Sequence, residues 1–272
     1  MVLQNMIKLV VDDKEMEVQE GVPLLEACLR HGIYIPNLCY LEGMEHPEAS
    51  CRLCFVEIDG KPVPSCTVRV TAPLVVNTDA PAVRSLQRSA LRLLLSVHDV
   101  DCAHCPANKK CALQNMARFL GMGLKPKGLE QFLKEPRIVE DHPFINYYPN
   151  RCVLCGRCVR VCRTKEGPLQ MTFAKRGFDT VISFYGVNKE SMPTCDECRT
   201  CVEVCPVEAI TLKTSVLLNP FDPDLSRQLV HSGEHSHNGS PVCKQVHYAF
   251  PDCRNRRFAA GDLLPSDHPV VS

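Results

Sequence analysis

The sequence has no excess of either charge, no long apolar run and no nucleotide fingerprint, and each absence excludes a class of function. Lysine plus arginine equals aspartate plus glutamate at 31 each, so no global charge points to nucleic acid or an anionic membrane. No apolar stretch approaches the roughly 20 residues that span a bilayer. The N-terminus, Met1 to Lys8 with Asp12 and Asp13 soon after, is too short and too charged for a secretory signal. There is no G-x-G-x-x-G after a strand and no G-x-x-x-x-G-K-[ST]. The Gly121-Met122-Gly123 pair lacks both the third glycine and the setting, so no nucleotide or flavin site is expected. No catalytic acid, base or nucleophile arrangement is evident. What the chain has in abundance is cysteine, 18 in 272 residues. A cytoplasmic location is expected, and there thiols stay reduced, so this many cysteines point to metal rather than disulfides.

Residues 1–80 are expected to form a small β-rich domain. Ile7 to Val11 and Met16 to Val18 are strands around an Asp12-Asp13-Lys14 turn. Pro23 to His31 is a helix closed by Gly32. Cys54 to Ile58 and Pro62 to Cys66 are strands around Asp59-Gly60. Residues 81–97 form the clearest helix, with Val83, Leu86, Ala90, Leu94 and Val97 on one apolar face. Arg84, Arg88 and Arg92 make a basic stripe, expected to be a solvated face rather than a docking surface. A short helix is expected from Ala112 to Leu120 within residues 81–120, and 121–149 is a connector rich in Gly, Pro and charge. Residues 150–215 hold an internal duplication, and 216–272 is an irregular tail.

The cysteines fall into groups. Cys39, Cys51, Cys54 and Cys66 have the spacing C-x11-C-x2-C-x11-C, with a loop supplying the first ligands and a later strand the last. A wide loop plus one C-x2-C pair suits the four thiolates around a [2Fe–2S] core. Tetrahedral zinc is the alternative, although a zinc knuckle usually presents two such pairs. The second group is His98, Cys102, Cys105 and Cys111, a triplet without a fourth thiolate. His98 would complete a [4Fe–4S] site and leave it one negative charge lighter. His104 competes for that role but lies between Cys102 and Cys105, where the loop needs a spacer.

The strongest signal is a repeated C-x2-C-x2-C-x3-C, with Pro206 after the second copy. Two-cluster ferredoxins with this run exchange their fourth ligands. One [4Fe–4S] cluster would take Cys152, Cys155, Cys158 and Cys205; the other would take Cys195, Cys198, Cys201 and Cys162. The groups use fifteen cysteines and one histidine, leaving Cys28, Cys243 and Cys253. Cys28 is expected to pack as a small buried hydrophobe. Cys243 and Cys253 lie near His231, His235, His237 and His247 in a spacing that matches no metal template. The first quartet is flanked by Arg151, Arg157, Arg160 and Arg163. The second has Asp196, Glu197 and Glu203, with Arg199 as the only nearby cation. Cations favour the reduced, more negative cluster, so the sequence predicts the higher potential for the Cys152 set. Alternatively the charges are screened and amide hydrogen bonds to sulfur decide the order.

The order of these groups resembles a known family. Ile35-Pro36-Asn37-Leu38-Cys39-Tyr40, Cys51-Arg52-Leu53-Cys54, Cys111-Ala112-Leu113-Gln114 and Cys152-Val153-Leu154-Cys155-Gly156-Arg157-Cys158-Val159 look like the N-terminal part of the large iron–sulfur subunit of respiratory complex I. Similar modules occur in the small diaphorase subunit of NAD-reducing hydrogenases and in NAD-dependent or bifurcating formate dehydrogenases. The resemblance covers residues 1–215. It implies an α+β chain with a β-grasp plant-type ferredoxin domain, a one-histidine three-cysteine segment and a bacterial-type double-cubane domain. It also implies one [2Fe–2S] and three [4Fe–4S] clusters, a flavoprotein partner that binds FMN and NAD(P), and a catalytic oxidoreductase partner. The complex I subunit continues into a long molybdopterin-type domain and iron-only hydrogenases into a catalytic cluster domain. This chain reaches neither, which suggests a stand-alone electron-wire subunit. A subunit of an aromatic-ring reductase or another bifurcating complex is the rival within redox chemistry, and a structural zinc protein or metal-dependent regulator is the rival outside it.

Overall fold

A β-hairpin opens the fold. Strand β1, Met6–Val11, pairs antiparallel with β2, Lys14–Gln19, in a register that runs from Met6 opposite Gln19 to Val11 opposite Lys14. Ile7, Leu9 and Val11 alternate inward with Met16 and Val18 from the partner strand. Asp12 and Asp13 both take positive φ, 49° and 63°, the conformation a two-residue hairpin turn demands and aspartate tolerates. The Asp12 carboxylate also accepts bonds from the Thr78 amide at 2.7 Å and hydroxyl at 2.6 Å. The computed structural model describes residues 5–164, 171–184 and 198–213.

A second hairpin joins β3, Phe55–Ile58, to β4, Lys61–Pro64. Strand β5, Leu74–Asn77, lies between the hairpins, parallel to β1 and antiparallel to β3, and gives the sheet order β2-β1-β5-β3-β4. Sequence reasoning did not assign β5, which is too short to show a period. It is a strand because Val76 fills the core while Val75 faces solvent. Helix α1, Leu24–Arg30, follows Pro23 and buries Leu24, Leu25, Ala27 and Cys28 against the sheet. Cys28 is thus the buried hydrophobe expected, and burial pushes its thiol up to about 12.

Helix α2, Pro81–Ser96, begins with a proline in its first turn, where the missing N–H costs nothing. Its buried face is Val83, Gln87, Ala90, Leu91 and Leu95, rotated from the expected one; Leu86 and Leu94 are only half-buried. Gln87 explains the rotation, because its side chain donates to the Phe55 carbonyl at 3.0 Å and fixes the helix on the sheet. The arginine stripe is not simply solvated. Arg84 pairs with Asp79 and lies over the Phe119 ring at 4.5 Å, and Arg88 donates to the Leu120 carbonyl at 3.1 Å, at the end of α3, Ala112–Phe119.

The remaining elements are short. Strand β6, Ile145–Tyr147, rises out of the expected connector and pairs with β9, Ile210–Leu212, while β7, Met171–Ala174, pairs with β8, Val181–Phe184. Helix α4, Arg157–Thr164, and α5, Thr200–Glu203, lie beside these strands. They share one apolar core with α2 and α3, separate from the core under the five-stranded sheet. Among the described residues no helix is long and apolar enough to cross a membrane. Leu95 is fully buried and Leu93, two residues earlier, is 66% exposed. Leu95→Ala is expected to cost about 2–5 kcal/mol and Leu93→Ala less than about 0.5 kcal/mol, measured as the shift of the denaturant midpoint under anaerobic conditions.

Candidate metal centres

The first cysteine group lies where the two cores meet. Cys39 and Cys51 belong to the helical core, and Cys54 and Cys66 to the core under the sheet; all four are buried. Cys39 and Cys51 bring their sulfurs to 3.4 Å. The hydrogen bond between the two thiols, with the Cys51 amide and Ser50 behind it, holds the Cys39 thiol below its usual range against the push of burial. Its partner Cys51 is pushed up, first by that hydrogen bond and then by desolvation. Cys54 and Cys66 form the other pair, and Cys54 is pushed up in the same way. Cys66 is not on a strand as expected. It sits in a single 3-10 turn, Ser65–Thr67, just beyond β4. Pro62 and Pro64 in β4 lack amide hydrogens, which ends the pairing early, and Ser65 anchors the turn by its amide and hydroxyl to the Cys54 carbonyl, at 2.9 and 2.8 Å.

The second group surrounds a cavity of about 210 Å³ lined by His98, Cys102, Cys105 and Cys111. His98 follows α2 and is buried. Its Nδ1 lies 2.9 Å from the Arg151 carbonyl, which can only accept. That bond puts the ring proton on Nδ1 and leaves Nε2 with a lone pair. Desolvation lowers the His98 pKa, which keeps the ring neutral. His104 is exposed, pairs with the Asp101 carboxylate at 2.8 Å and is not among the cavity residues.

The described residues of the two copies of the duplicated motif come close together in the fold. Cys152 and Cys155 lie in the loop before α4, Cys158 in its first turn, and Cys162 one turn further along. Leu154 and Gly156 take positive φ, 53° and 77°, which turns the loop back on itself. Cys205, just past α5, acts electrostatically on Cys152, Cys155 and Cys158. Cys162 instead lines a separate cavity of about 40 Å³ with Cys198 and Cys201. Cys195, Asp196 and Glu197 lie outside the described residues, as do Cys243, Cys253 and the histidines of the tail. Burial pushes the thiol of Cys152 up to about 11 and that of Cys155 up to about 12.

Three neighbours of the first quartet carried no sequence signal. The Leu154 amide donates to the Cys152 sulfur at 3.4 Å, and the Ala209 amide to that of Cys205 at 3.2 Å. The Tyr147 hydroxyl donates to Cys152 while accepting from the Ile182 amide at 3.2 Å. The flanking arginines, which did carry a signal, diverge: Arg151 stacks on the Tyr148 ring at 4.1 Å, Arg160 donates to the His46 carbonyl at 3.4 Å, and Arg157 acts on a quartet thiol, that of Cys155, while the side chain of Arg163 lies outside the described residues. The donor sets fit iron–sulfur clusters: grouped thiols, with N–H and O–H groups aimed at the sulfurs of Cys152 and Cys205.

Comparison with known proteins agrees with this geometry. Residues 4–81 match the family model of a 2Fe-2S iron-sulfur cluster binding domain, residues 87–124 an NADH-ubiquinone oxidoreductase-G iron-sulfur binding region, and residues 142–211 an NADH-quinone oxidoreductase subunit 3, ferredoxin-like domain. The NADH-quinone oxidoreductase G 2 subunit of Rhizobium meliloti is 36% identical over 213 residues, 75% of this chain and 24% of the relative. The alpha subunit of NADPH-Fe(3+) oxidoreductase of Geobacter sulfurreducens is 32% identical over 76% of this chain and 24% of its own length. The HndD subunit of the NADP-reducing hydrogenase of Solidesulfovibrio fructosivorans is 32% identical over 76% and 36%. The chain therefore spans about a quarter to a third of the length of these relatives. A chain in the crystal structure of NAD+-reducing [NiFe]-hydrogenase in the H2-reduced state superposes with a TM-score of 0.67 and 29% identity, covering 77% of this chain and 88% of that one. With 2Fe-2S and 4Fe-4S modules in this order, the chain is an iron–sulfur protein that resembles the N-terminal part of the complex I large iron–sulfur subunit and the corresponding subunits of NAD(P)-reducing hydrogenases.

Proposed function

We propose that the chain is an electron-relay subunit of a cytoplasmic, multi-subunit NAD(P)-linked oxidoreductase. It takes electrons from, or returns them to, a flavoprotein that binds FMN and NAD(P), and exchanges them with a catalytic subunit of hydrogenase, formate dehydrogenase or complex I-like type. Residues 1–80 would form a β-grasp ferredoxin domain, 81–120 the one-histidine segment and 150–215 the double-cubane domain. The observation that carries the reading is the approach of the duplicated motifs: Cys205 raises the thiols of Cys152, Cys155 and Cys158, while Cys162 lines a second cavity with Cys198 and Cys201. An exchange of fourth ligands, as in two-cubane ferredoxins, would need that approach.

Bound clusters supply reversible one-electron storage. The protein's part is to hold and tune them. Cys39, Cys51, Cys54 and Cys66 would hold [2Fe–2S]. His98 Nε2 with Cys102, Cys105 and Cys111 would hold one [4Fe–4S], and the crossed sets, the second completed by Cys195, would hold two more. The Arg151 carbonyl orients the His98 ring.

Anaerobic iron and sulfide assays are expected to give about fourteen irons per chain, two plus three times four, with EPR signals of both cluster types after reduction. Substantial zinc with about ten irons or fewer would sink the four-cluster reading. His98→Ala is expected to lose or convert one [4Fe–4S] cluster and spare the other three, whereas His104→Ala leaves all four; the reverse EPR pattern would move the ligand to His104. The protein alone is expected not to oxidise NADH, and its clusters to be reduced within the mixing time once the co-purifying FMN-containing subunit is added. Flavin-free oxidation of NADH by this chain alone would contradict the relay.

A further inference from the structure

Among the described residues three buried side-chain polar atoms have no hydrogen-bond partner: Lys134 Nζ, Asn146 Oδ1 and Arg157 Nε. Two of the three are cationic donors, and both act on thiols of the first quartet. A buried ammonium without a partner is among the costliest groups a fold can hold. Lys134 is 7% exposed, and its Nζ is sealed from water.

The backbone around Lys134 is firmly held. The Phe132 amide donates to the Ser96 carbonyl at 2.7 Å, and the Gln131 side chain to the Leu95 carbonyl at 3.0 Å, which ties the segment to the end of α2. Asn150 then grips Lys134 from both sides, accepting from its amide at 2.7 Å and donating to its carbonyl at 3.0 Å. Asn150 is two residues before Cys152, so the same clamp fixes the lysine and the first ligand of the quartet. Desolvation lowers the Lys134 pKa, opposed first by Cys152 and then by Asp179. Asp179 is on an exposed turn, where water screens it. Cys152 is the anionic partner that is not screened once its proton is displaced. Arg157 uses Nη2 on the Tyr40 carbonyl at 2.7 Å and leaves Nε buried, while its charge acts on the Cys155 thiol.

We infer that Lys134 is the charge-compensating residue of the [4Fe–4S] cluster held by Cys152, Cys155, Cys158 and Cys205, and that with Arg157 it makes this cluster the higher in potential of the pair. The inference rests on the proposed ligation of that set. A thiolate-ligated cluster is anionic and gains a further negative charge on reduction, so a buried cation favours the reduced form. Of the loop charges visible in the sequence, Arg151 and Arg160 are engaged elsewhere, and the lysine that matters comes from a segment with no ligand motif.

The test uses the full, cluster-loaded chain and EPR-monitored redox titration. Cys155→Ala first identifies the signal of this set, by its loss or conversion. Lys134→Met and Lys134→Gln are expected to keep the iron content and to lower the midpoint of that signal alone by about 59 mV or more, tenfold for one electron. Lys134→Arg is expected to hold it, and Arg157→Gln to lower it. A neutral variant that leaves the midpoint in place, or moves both clusters equally, overturns the inference while the ligation stands. If the neutral variants fail to load this set and Lys134→Arg loads it, the charge is required; if none of the three loads it, shape rather than charge is at work and the inference falls. If Cys155→Ala removes no signal, the ligation itself is wrong.

Discussion

Burial pushes the thiols of Cys152 and Cys155 further above neutrality than an ordinary thiol, which raises the cost of the thiolate form that a metal requires. Much else in the structure answers to that constraint. Amides of Leu154 and Ala209 and the Tyr147 hydroxyl are turned toward sulfur, and buried cations stand behind the same loop. In an apolar core each of these groups would be a liability; around an anionic cluster each is a partner.

The two apolar cores divide the first cysteine group evenly. Cys39 and Cys51 pack with α2 and α3, and Cys54 and Cys66 pack beneath the sheet. Leu38 and Leu53, neighbours of the first and third ligands, also belong to the helical core. The ligand loop is thus not an appendage of the sheet but the seam between two bodies of packed side chains. Gln87 adds a second tie by reaching from α2 to the Phe55 carbonyl, one residue beyond Cys54.

Spacing made the ligand groups legible, because thiolates around a small core must come from closely spaced loop positions. The hairpins were legible from alternation and from the Asp12-Asp13 and Asp59-Gly60 turns. What escaped depends on partners distant in sequence. Strand β5 exists only because β1 and β3 flank it, and the α2 face turned because Gln87 found a carbonyl 32 residues away. Lys134 carries no pattern of its own, since its burial is set by Asn150 from 16 residues further on. Counting arginines near the first quartet pointed toward positive charge and included Arg157, which acts on the Cys155 thiol, but it could not show that Arg151 and Arg160 direct their charge to a tyrosine ring and a carbonyl.

The bond from Arg157 to the Tyr40 carbonyl joins residues 117 apart in the chain. At a synthesis rate of about 5–20 residues per second, Tyr40 emerges from the ribosome roughly ten seconds before Arg157 does. Throughout that interval the loop that carries Cys39 lacks this one tie, while the packing partners of Leu38 and Tyr40 in the sheet and in α2 have been made by its end. The bond to Arg157 is therefore among the last that the loop can form during synthesis.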